Sequence, residues 1–191
     1  MVVNSIQLQR RLITVDEYDQ MVRSGVFPED DRLELIEGEL LAMSPIGSRH
    51  AAQITRLTRI FNRRLEGRAL VSSQSPVRLA HSEPQPDLLL LRHRSDDYAA
   101  ALPVPADVLL LIEVADTTAV FDRGVKVPLY ARSGIGETWL IDLTENVVEV
   151  YRAAAAGGYR QKQTLGMGDN LTCLAFPDEA FAINDILVPE A

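Results

Sequence analysis

Two unbroken apolar runs constrain the fold of this chain more than any other feature of its sequence. Residues 86–91 are Pro-Asp-Leu-Leu-Leu-Leu, and residues 108–114 are Val-Leu-Leu-Leu-Ile-Glu-Val. Neither run has the alternating polar residues of a strand with one face in water. Such runs are typical of strands that are covered on both faces of a sheet. The sequence therefore predicts that both runs lie in the buried centre of a sheet.

Each run carries one acidic residue, Asp87 at the start of the first run and Glu113 near the end of the second. A buried carboxylate is costly unless it is paired, protonated or bound to a cation. Two such acids on successive strands, followed by Lys126, form the set that a metal-dependent phosphodiesterase needs. The carboxylates would hold a hard divalent cation, and the lysine would face the attacking water or the phosphate.

Ordinary structural roles are open for the same residues. Asp87 fits a turn that leads into the strand, and Glu113 fits a solvated position on an edge strand. Lys126 fits a surface position where it pairs with Asp122 four residues earlier on a helix.

The length and composition predict one domain over residues 1–191. Within it, residues 1–31 hold a helix and an acidic turn, and residues 32–191 hold the core with a C-terminal strand meander. No apolar run approaches the roughly 18 residues of a membrane span, and residues 1–11 do not resemble a signal peptide. The single cysteine, Cys173, excludes an internal disulfide and predicts a buried, inert thiol. We therefore expect a cytoplasmic protein that does not contact membranes.

The net charge of −8 argues against binding to nucleic acid that is driven by phosphate attraction alone. Arginines nevertheless cluster in and just after one predicted helix, residues 49–65, whose apolar residues recur every three or four positions. The clustered arginines are Arg49, Arg56, Arg59, Arg63, Arg64 and Arg68. Their spacing predicts a locally basic face on an acidic protein.

Other local patterns place the remaining elements. Thr14 and Glu17 predict a capping box on a first helix, and Glu37-Gly38 predicts the turn of a hairpin over residues 32–43. Pro128 predicts that a later helix starts near Val125, because proline is tolerated in a first turn. Additional strands are predicted at residues 69–72, 76–80, 137–142, 147–152, 159–165 and 171–174, and a closing helix at residues 181–187. This irregular order does not fit the regular strand–helix alternation of a doubly wound nucleotide-binding fold.

Taken in order, the motifs resemble those of the PD-(D/E)xK nuclease superfamily, and the match is closest to its Uma-two branch. Each motif alone is a common sequence, whereas the ordered set is specific for the family. The motifs that carry the resemblance are Arg32-Leu-Glu-Leu-Ile-Glu-Gly-Glu39, Met43-Ser-Pro45, His50, Pro86-Asp87, Ile112-Glu-Val114, Asp122-Arg-Gly-Val-Lys126, Tyr130, Gly134-Ile-Gly-Glu-Thr-Trp139 and Val148-Glu-Val-Tyr151.

The resemblance implies an α/β, restriction-endonuclease-like fold with a mixed β-sheet core flanked by helices. It implies a metal-dependent endonuclease that hydrolyses phosphodiester bonds in DNA with Mg²⁺ or Mn²⁺. In this assignment Asp87 and Glu113 hold the metal, and Glu34 helps directly or through a water molecule. Lys126 positions or activates the attacking water, and His50 orients a phosphate or a carboxylate. By the same analogy we expect a homodimer, because cleavage of both strands of a duplex needs two sites.

One departure from the superfamily pattern keeps other functions open. The usual lysine stands two residues after the second acid, where this chain has Ala115. Lys126 would then reach the site from the next helix, and we expect Lys126→Ala to abolish cleavage while folding stays nearly intact. The alternative is a catalytically silent nuclease-fold scaffold or a DNA-binding regulator. In a third interpretation the chain is a structural core or an oligomerisation protein in which the acids pair with arginines such as Arg78.

Overall fold

The structure is a computed structural model that describes residues 10–28 and 31–188. Residues 1–9 and residues 29–30 of the predicted acidic turn lie outside the described residues. The helices are α1 (Val15–Arg23), α2 (Ser48–Arg64), α3 (Ala119–Phe121), α4 (Val127–Arg132) and α5 (Ile183–Ile186). The strands are β1 (Leu33–Ile36), β2 (Glu39–Ala42), β3 (Leu70–Ser73), β4 (Leu88–Leu91), β5 (Val108–Ala115), β6 (Glu137–Asp142), β7 (Val147–Ala155), β8 (Gly158–Leu165), β9 (Asn170–Cys173) and β10 (Phe176–Ala182).

A mixed six-stranded sheet forms the centre of the fold, in the order β3-β4-β5-β6-β7-β8. Only β5 and β6 pair in parallel, and the other neighbours are antiparallel. Hairpins join antiparallel strands, whereas a parallel pair needs a long crossover, and the helical segment from α3 to α4 supplies it. This architecture confirms the predicted α/β fold with a mixed sheet flanked by helices.

Both faces of the sheet are covered, which explains why its central strands are apolar throughout. Leu88 and Leu90 pack on one face with Phe61 of α2, and Leu89 and Leu91 pack on the opposite face with α4. Successive side chains of a strand point to opposite faces, so an unbroken leucine run serves two cores at once. In the core on the α2 side of the sheet, Phe61 packs edge to face against Phe181 of β10, with ring centroids 5.2 Å apart.

Local sequence signals account for the elements at the N-terminal end. Thr14 and Glu17 form the predicted capping box on α1. The β1–β2 hairpin turns through Glu37 and Gly38, whose φ angles are 49° and 84°. In contrast, α2 has no side-chain cap: Ser48 is its first helical residue, and Gly47 precedes it.

Two of the predicted elements differ from the structure at their ends or in kind. Residues 76–80 do not form a strand, because Val77 bonds to Pro84 and Leu79 bonds to Ser82 within an irregular turn. Phe181 belongs to β10, so the closing helix α5 is shorter than predicted. In both segments the apolar residues are buried as expected, but burial alone does not select the backbone conformation.

The predicted start of the helix near Val125 is also wrong, since the helical segment begins at Ala119. A π-helical turn, Asp122–Lys126, joins α3 to α4, and the Val127 N–H bonds to the Asp122 carbonyl five residues back. Pro128 has no N–H to donate, and its ring clashes with a carbonyl four residues earlier in a regular α-helix. The wider turn accommodates Pro128 without ending the helix. None of the helices within the described residues is long and apolar enough to cross a membrane.

Candidate active site

The register of β4 and β5 brings the two strand acids together. Leu88 pairs with Ile112 and Leu89 with Leu111, so continuation of the same register by one residue places Asp87 opposite Glu113. Directly opposed residues of an antiparallel pair point to the same face. Both acids therefore lie on the sheet face that the β1–β2 hairpin and the helical crossover cover.

Asp87 is held by two donors from separate elements. Its Oδ2 accepts a hydrogen bond from the Val114 N–H at 2.8 Å, and His50 Nε2 of α2 lies 3.0 Å from the same oxygen. Because β4 starts only at Leu88, the carboxylate supplies the partner that Val114 lacks on this side of β5. Burial alone would lower the pKa of His50, but the hydrogen bond and charge of Asp87 outweigh it, so the pKa is raised.

Glu113 is buried within the sheet, so a solvated edge position is wrong for it. Its Oε1 accepts a hydrogen bond from the Tyr130 hydroxyl at 2.5 Å and lies 3.3 Å from Lys126 Nζ. Burial raises the pKa of Glu113, the charge of Lys126 opposes this rise, and the nearby carboxylates of Asp87 and Asp122 add to it. The electrostatics of this position favour any cation that approaches the carboxylate.

Lys126 does not occupy the surface, and its side chain is only 8% exposed. Nζ lies 3.1 Å from Glu34 Oε2 and 3.3 Å from Glu113 Oε1, so the ammonium bridges two buried acids. Burial alone would lower the pKa of Lys126, but Glu113, Glu34 and Asp122 outweigh it and raise the pKa. The lysine therefore stays charged at neutral pH.

Glu34 reaches the site from β1 of the hairpin. It is buried, and its Oε2 accepts a hydrogen bond from the Gln85 N–H at 3.3 Å in addition to the contact with Lys126. Arg78, which the third interpretation would pair with the site acids, forms ion pairs with Asp19 and Glu83 instead. A purely structural pairing of the site acids with Arg78 is therefore wrong.

Glu34, His50, Asp87, Glu113 and Lys126 all line one cavity of about 1020 Å³. One lip of this cleft is the loop before α2, residues 43–47, and the other is the segment of residues 116–121. Among the described residues, five acids line the cleft, whereas the fully charged cations that line it are Arg32 and Lys126. The structure thus brings together all five residues that the sequence singled out, and their chemical roles are predictions.

Sequence reasoning gave no functional role to two further residues at the site. Tyr130 is fully buried and donates to Glu113, and Asp122 is buried and accepts a hydrogen bond from the Thr118 hydroxyl at 2.6 Å. Burial is the main cause that raises the pKa of Asp122. The available signal was their spacing from Lys126: Asp122 lies four residues before it and Tyr130 four residues after it. This spacing places all three on one helical segment.

The oxygen donors of the cleft suit a hard divalent cation such as Mg²⁺ or Mn²⁺. Within the described residues, no three His, Cys, Asp or Glu side chains form a ready cage for a metal. Mg²⁺ does not need one, because it commonly uses one or two carboxylates, water molecules and phosphate oxygens of the substrate. Asp87 and the desolvated Glu113 fit that smaller requirement, and Lys126 contacts Glu113 as well as Glu34.

The chain is similar to known proteins in its sequence and in its fold. The family model Uma2, described as "Putative restriction endonuclease", matches residues 15–184. No curated protein matches the chain. Among solved structures, a crystal structure of "a putative nuclease belonging to DUF820" from Anabaena variabilis ATCC 29413 has a TM-score of 0.71 at 18% identity, covering 91% of this chain and 97% of that chain. At this identity the likeness concerns the fold.

Proposed function

Because the chain belongs to the Uma2 family, we propose that it is a metal-dependent endonuclease that hydrolyses phosphodiester bonds in DNA. The observation that carries this proposal is the convergence of three acids and one lysine from four separate segments on a single cleft. Buried charged groups that share a cleft are typical of functional sites, since a purely structural core seldom contains them.

Asp87 and Glu113 would hold the cation. When bound, the cation would polarise the phosphate and lower the pKa of a coordinated water molecule. His50 and the Val114 N–H fix the position of the Asp87 carboxylate before any ligand arrives. Such preorganisation is favourable for catalysis, because the donors need no rearrangement during the reaction.

Lys126 would act as a fixed positive charge. Its raised pKa keeps the ammonium protonated, so the side chain suits stabilisation of negative charge on the phosphate better than it suits proton abstraction. Lys126 enters from the π-helical turn, and the usual lysine position after Glu113 holds the buried Ala115. The helix thereby compensates for the residue that the strand lacks.

The test is nicking of supercoiled plasmid in the presence of Mg²⁺ or Mn²⁺. We expect the wild type to nick the plasmid and the Asp87→Asn and Glu113→Gln variants to lose this activity by at least about 100-fold, the scale of losing a transition-state charge contact. Glu113→Gln retains the contact between Glu34 and Lys126, so it should fold. The control is Lys162→Met, which alters the only other lysine of the chain, a residue that pairs with Glu149 and does not line the cleft.

The alternative function is a catalytically silent scaffold or a DNA-binding regulator, and the buried Ala115 at the usual lysine position favours it. The two functions differ in their need for a cation. A wild type that binds neither Mn²⁺ nor Mg²⁺ in calorimetric titrations and nicks no supercoiled, relaxed or single-stranded DNA would support the scaffold. The homodimer is a proposal of the same kind, and static light scattering with and without DNA tests it.

A further inference from the structure

We infer that a groove beside α2 binds the backbone of the DNA strand next to the phosphate in the cleft, with Arg59 as its charged contact. This inference rests on the proposed function, because it assigns the substrate a second contact surface. The cleft itself repels DNA through its five acids, so binding needs positive charge or hydrogen-bond donors outside it.

Most of the clustered arginines are used inside the protein. Arg56 donates to the backbone carbonyls of Asn184 and Asp185, and Arg64 and Arg68 pair with Glu179 near the C-terminal end. Arg49 donates to Asn146 at 3.0 Å. These four arginines fasten distant segments to α2, and acidic partners balance the charge of two of them, Arg64 and Arg68.

Arg59 and Arg63 differ from the other four. Both are exposed, and neither forms a hydrogen bond or ion pair with another residue of the described ranges 10–28 and 31–188. An arginine without an internal partner keeps all of its donors for a ligand. Arg59 lines a groove beside α2, and Arg63 is not among the residues that line it.

The groove has a volume of about 490 Å³ and runs between α2 and the end of β3. Among the residues that the structure describes, its polar lining besides Arg59 consists of hydroxyl and amide side chains, and none of them is a carboxylate. The polar residues are Thr55, Thr58, Arg59, Ser73 and Gln74. Hydroxyl, amide and guanidinium groups are the usual contacts to phosphate and sugar, and they carry no base preference.

The groove adjoins the cleft at two places. Ile46, in the loop before α2, lines both the groove and the cleft. Gln85 of the cleft donates through Nε2 to the carbonyl of Gln74 of the groove at 2.7 Å. A strand whose phosphate lies at Asp87 and Glu113 would thus extend over Ile46 toward Arg59. The charge and the continuity together favour a phosphodiester strand as the occupant.

The test is fluorescence anisotropy with an end-labelled DNA duplex of about 20 base pairs, long enough for several phosphate contacts. All proteins carry Glu113→Gln, so that the duplex is not cut. We expect Arg59→Ala to weaken binding about 3- to 10-fold near 0.1 M salt and to reduce the slope of log K against log salt by about 0.9, the loss of one phosphate contact. Arg59→Glu should weaken binding further.

Arg63→Ala is the matched control, because Arg63 is exposed one turn along the same helix but does not line the groove. It should change the affinity by less than about 1.5-fold, as expected when no phosphate contact is lost. Equal effects of Arg59→Ala and Arg63→Ala would overturn the groove, while the proposed nuclease site would stand. If the parent Glu113→Gln protein binds no DNA at all, the DNA substrate in the proposed function fails, and the groove fails with it.

Discussion

Replacement of Lys126 by methionine should destabilise the protein strongly, in addition to removing the catalytic charge proposed for this residue. Methionine retains most of the side-chain volume and removes only the charge. In the native protein the ammonium lies between Glu34 and Glu113, both of which are buried. Without it, two carboxylates face each other in the core, and removal of one partner of a buried ion pair typically costs about 3–5 kcal/mol.

A destabilisation of similar size follows from the protonation of the buried carboxylates in the variant. The variant can relieve the repulsion by taking up a proton, and burial already raises the pKa of Glu113. One proton bound by the two carboxylates leaves a single negative charge in place of two. An unfolded glutamate has a pKa of about 4.3, so this protonation at pH 7 costs about 3.7 kcal/mol at 1.36 kcal/mol per pH unit. The two estimates agree, and they revise the expectation that removal of Lys126 leaves folding nearly intact.

Urea unfolding followed by the fluorescence of Trp139 measures this loss, since the chain has one tryptophan and it is fully buried. With an m-value of about 2 kcal/mol per M, the midpoint should fall by about 1.8 M at pH 7. The variant binds more protons when folded than when unfolded, so its deficit should shrink as the pH falls. At pH 5 we expect a deficit of about 1 kcal/mol.

Lys162→Met provides the control for the loss of a lysine charge. Lys162 pairs with Glu149 at 2.9 Å, but its side chain is 46% exposed, and exposed pairs contribute about 0–1 kcal/mol. A Lys126→Met deficit no larger than that of Lys162→Met would refute the buried bridge. A deficit that does not change between pH 7 and pH 5 would refute the assignment of its cause to unpaired carboxylates.

Three other predictions concern the cleft and the charged contacts of Glu149 on β7. Mg²⁺ or Mn²⁺ should raise the melting temperature of the wild type, because a ligand that binds the folded state stabilises it. The rise should be smaller in Asp87→Asn, and equal rises in a thermal shift titration would exclude Asp87 as a metal ligand. Tyr130→Phe should cost about 1–3 kcal/mol in urea unfolding, because Glu113 then loses a buried donor, and an unchanged midpoint would contradict the hydrogen bond. Burial would raise the pKa of Glu149, but hydrogen bonds from Arg123, Lys162 and Tyr151 outweigh it and lower the pKa. The ionised Glu149 therefore stabilises the fold at neutral pH, and this stabilisation is lost as the pH falls below the unfolded value of about 4.3 through the folded pKa. Glu149→Gln should reduce the loss of unfolding free energy over this acidic range in pH-dependent unfolding. An unaltered loss would assign it to other carboxylates.

The amino-acid sequence by itself determined the features that depend on neighbours along the chain. The leucine runs required strands covered on both faces, and such strands made the burial of Glu113 predictable. The capping box of α1 and the Glu37-Gly38 turn follow from hydrogen bonds and φ angles within a few residues. The ordered motifs added the family and hence the mixed sheet, which periodicity alone does not specify.

Only the tertiary structure decided the features that depend on partners distant in sequence. The strand register sets Asp87 opposite Glu113, and the π-helical turn directs Lys126 between Glu34 and Glu113. Likewise, no local pattern distinguishes Arg64, which pairs with Glu179, from Arg59, which has no such partner among the described residues. The physical reason is that the role of a charged side chain depends on its burial and on the charges around it, and both are set by segments that meet only when the chain folds.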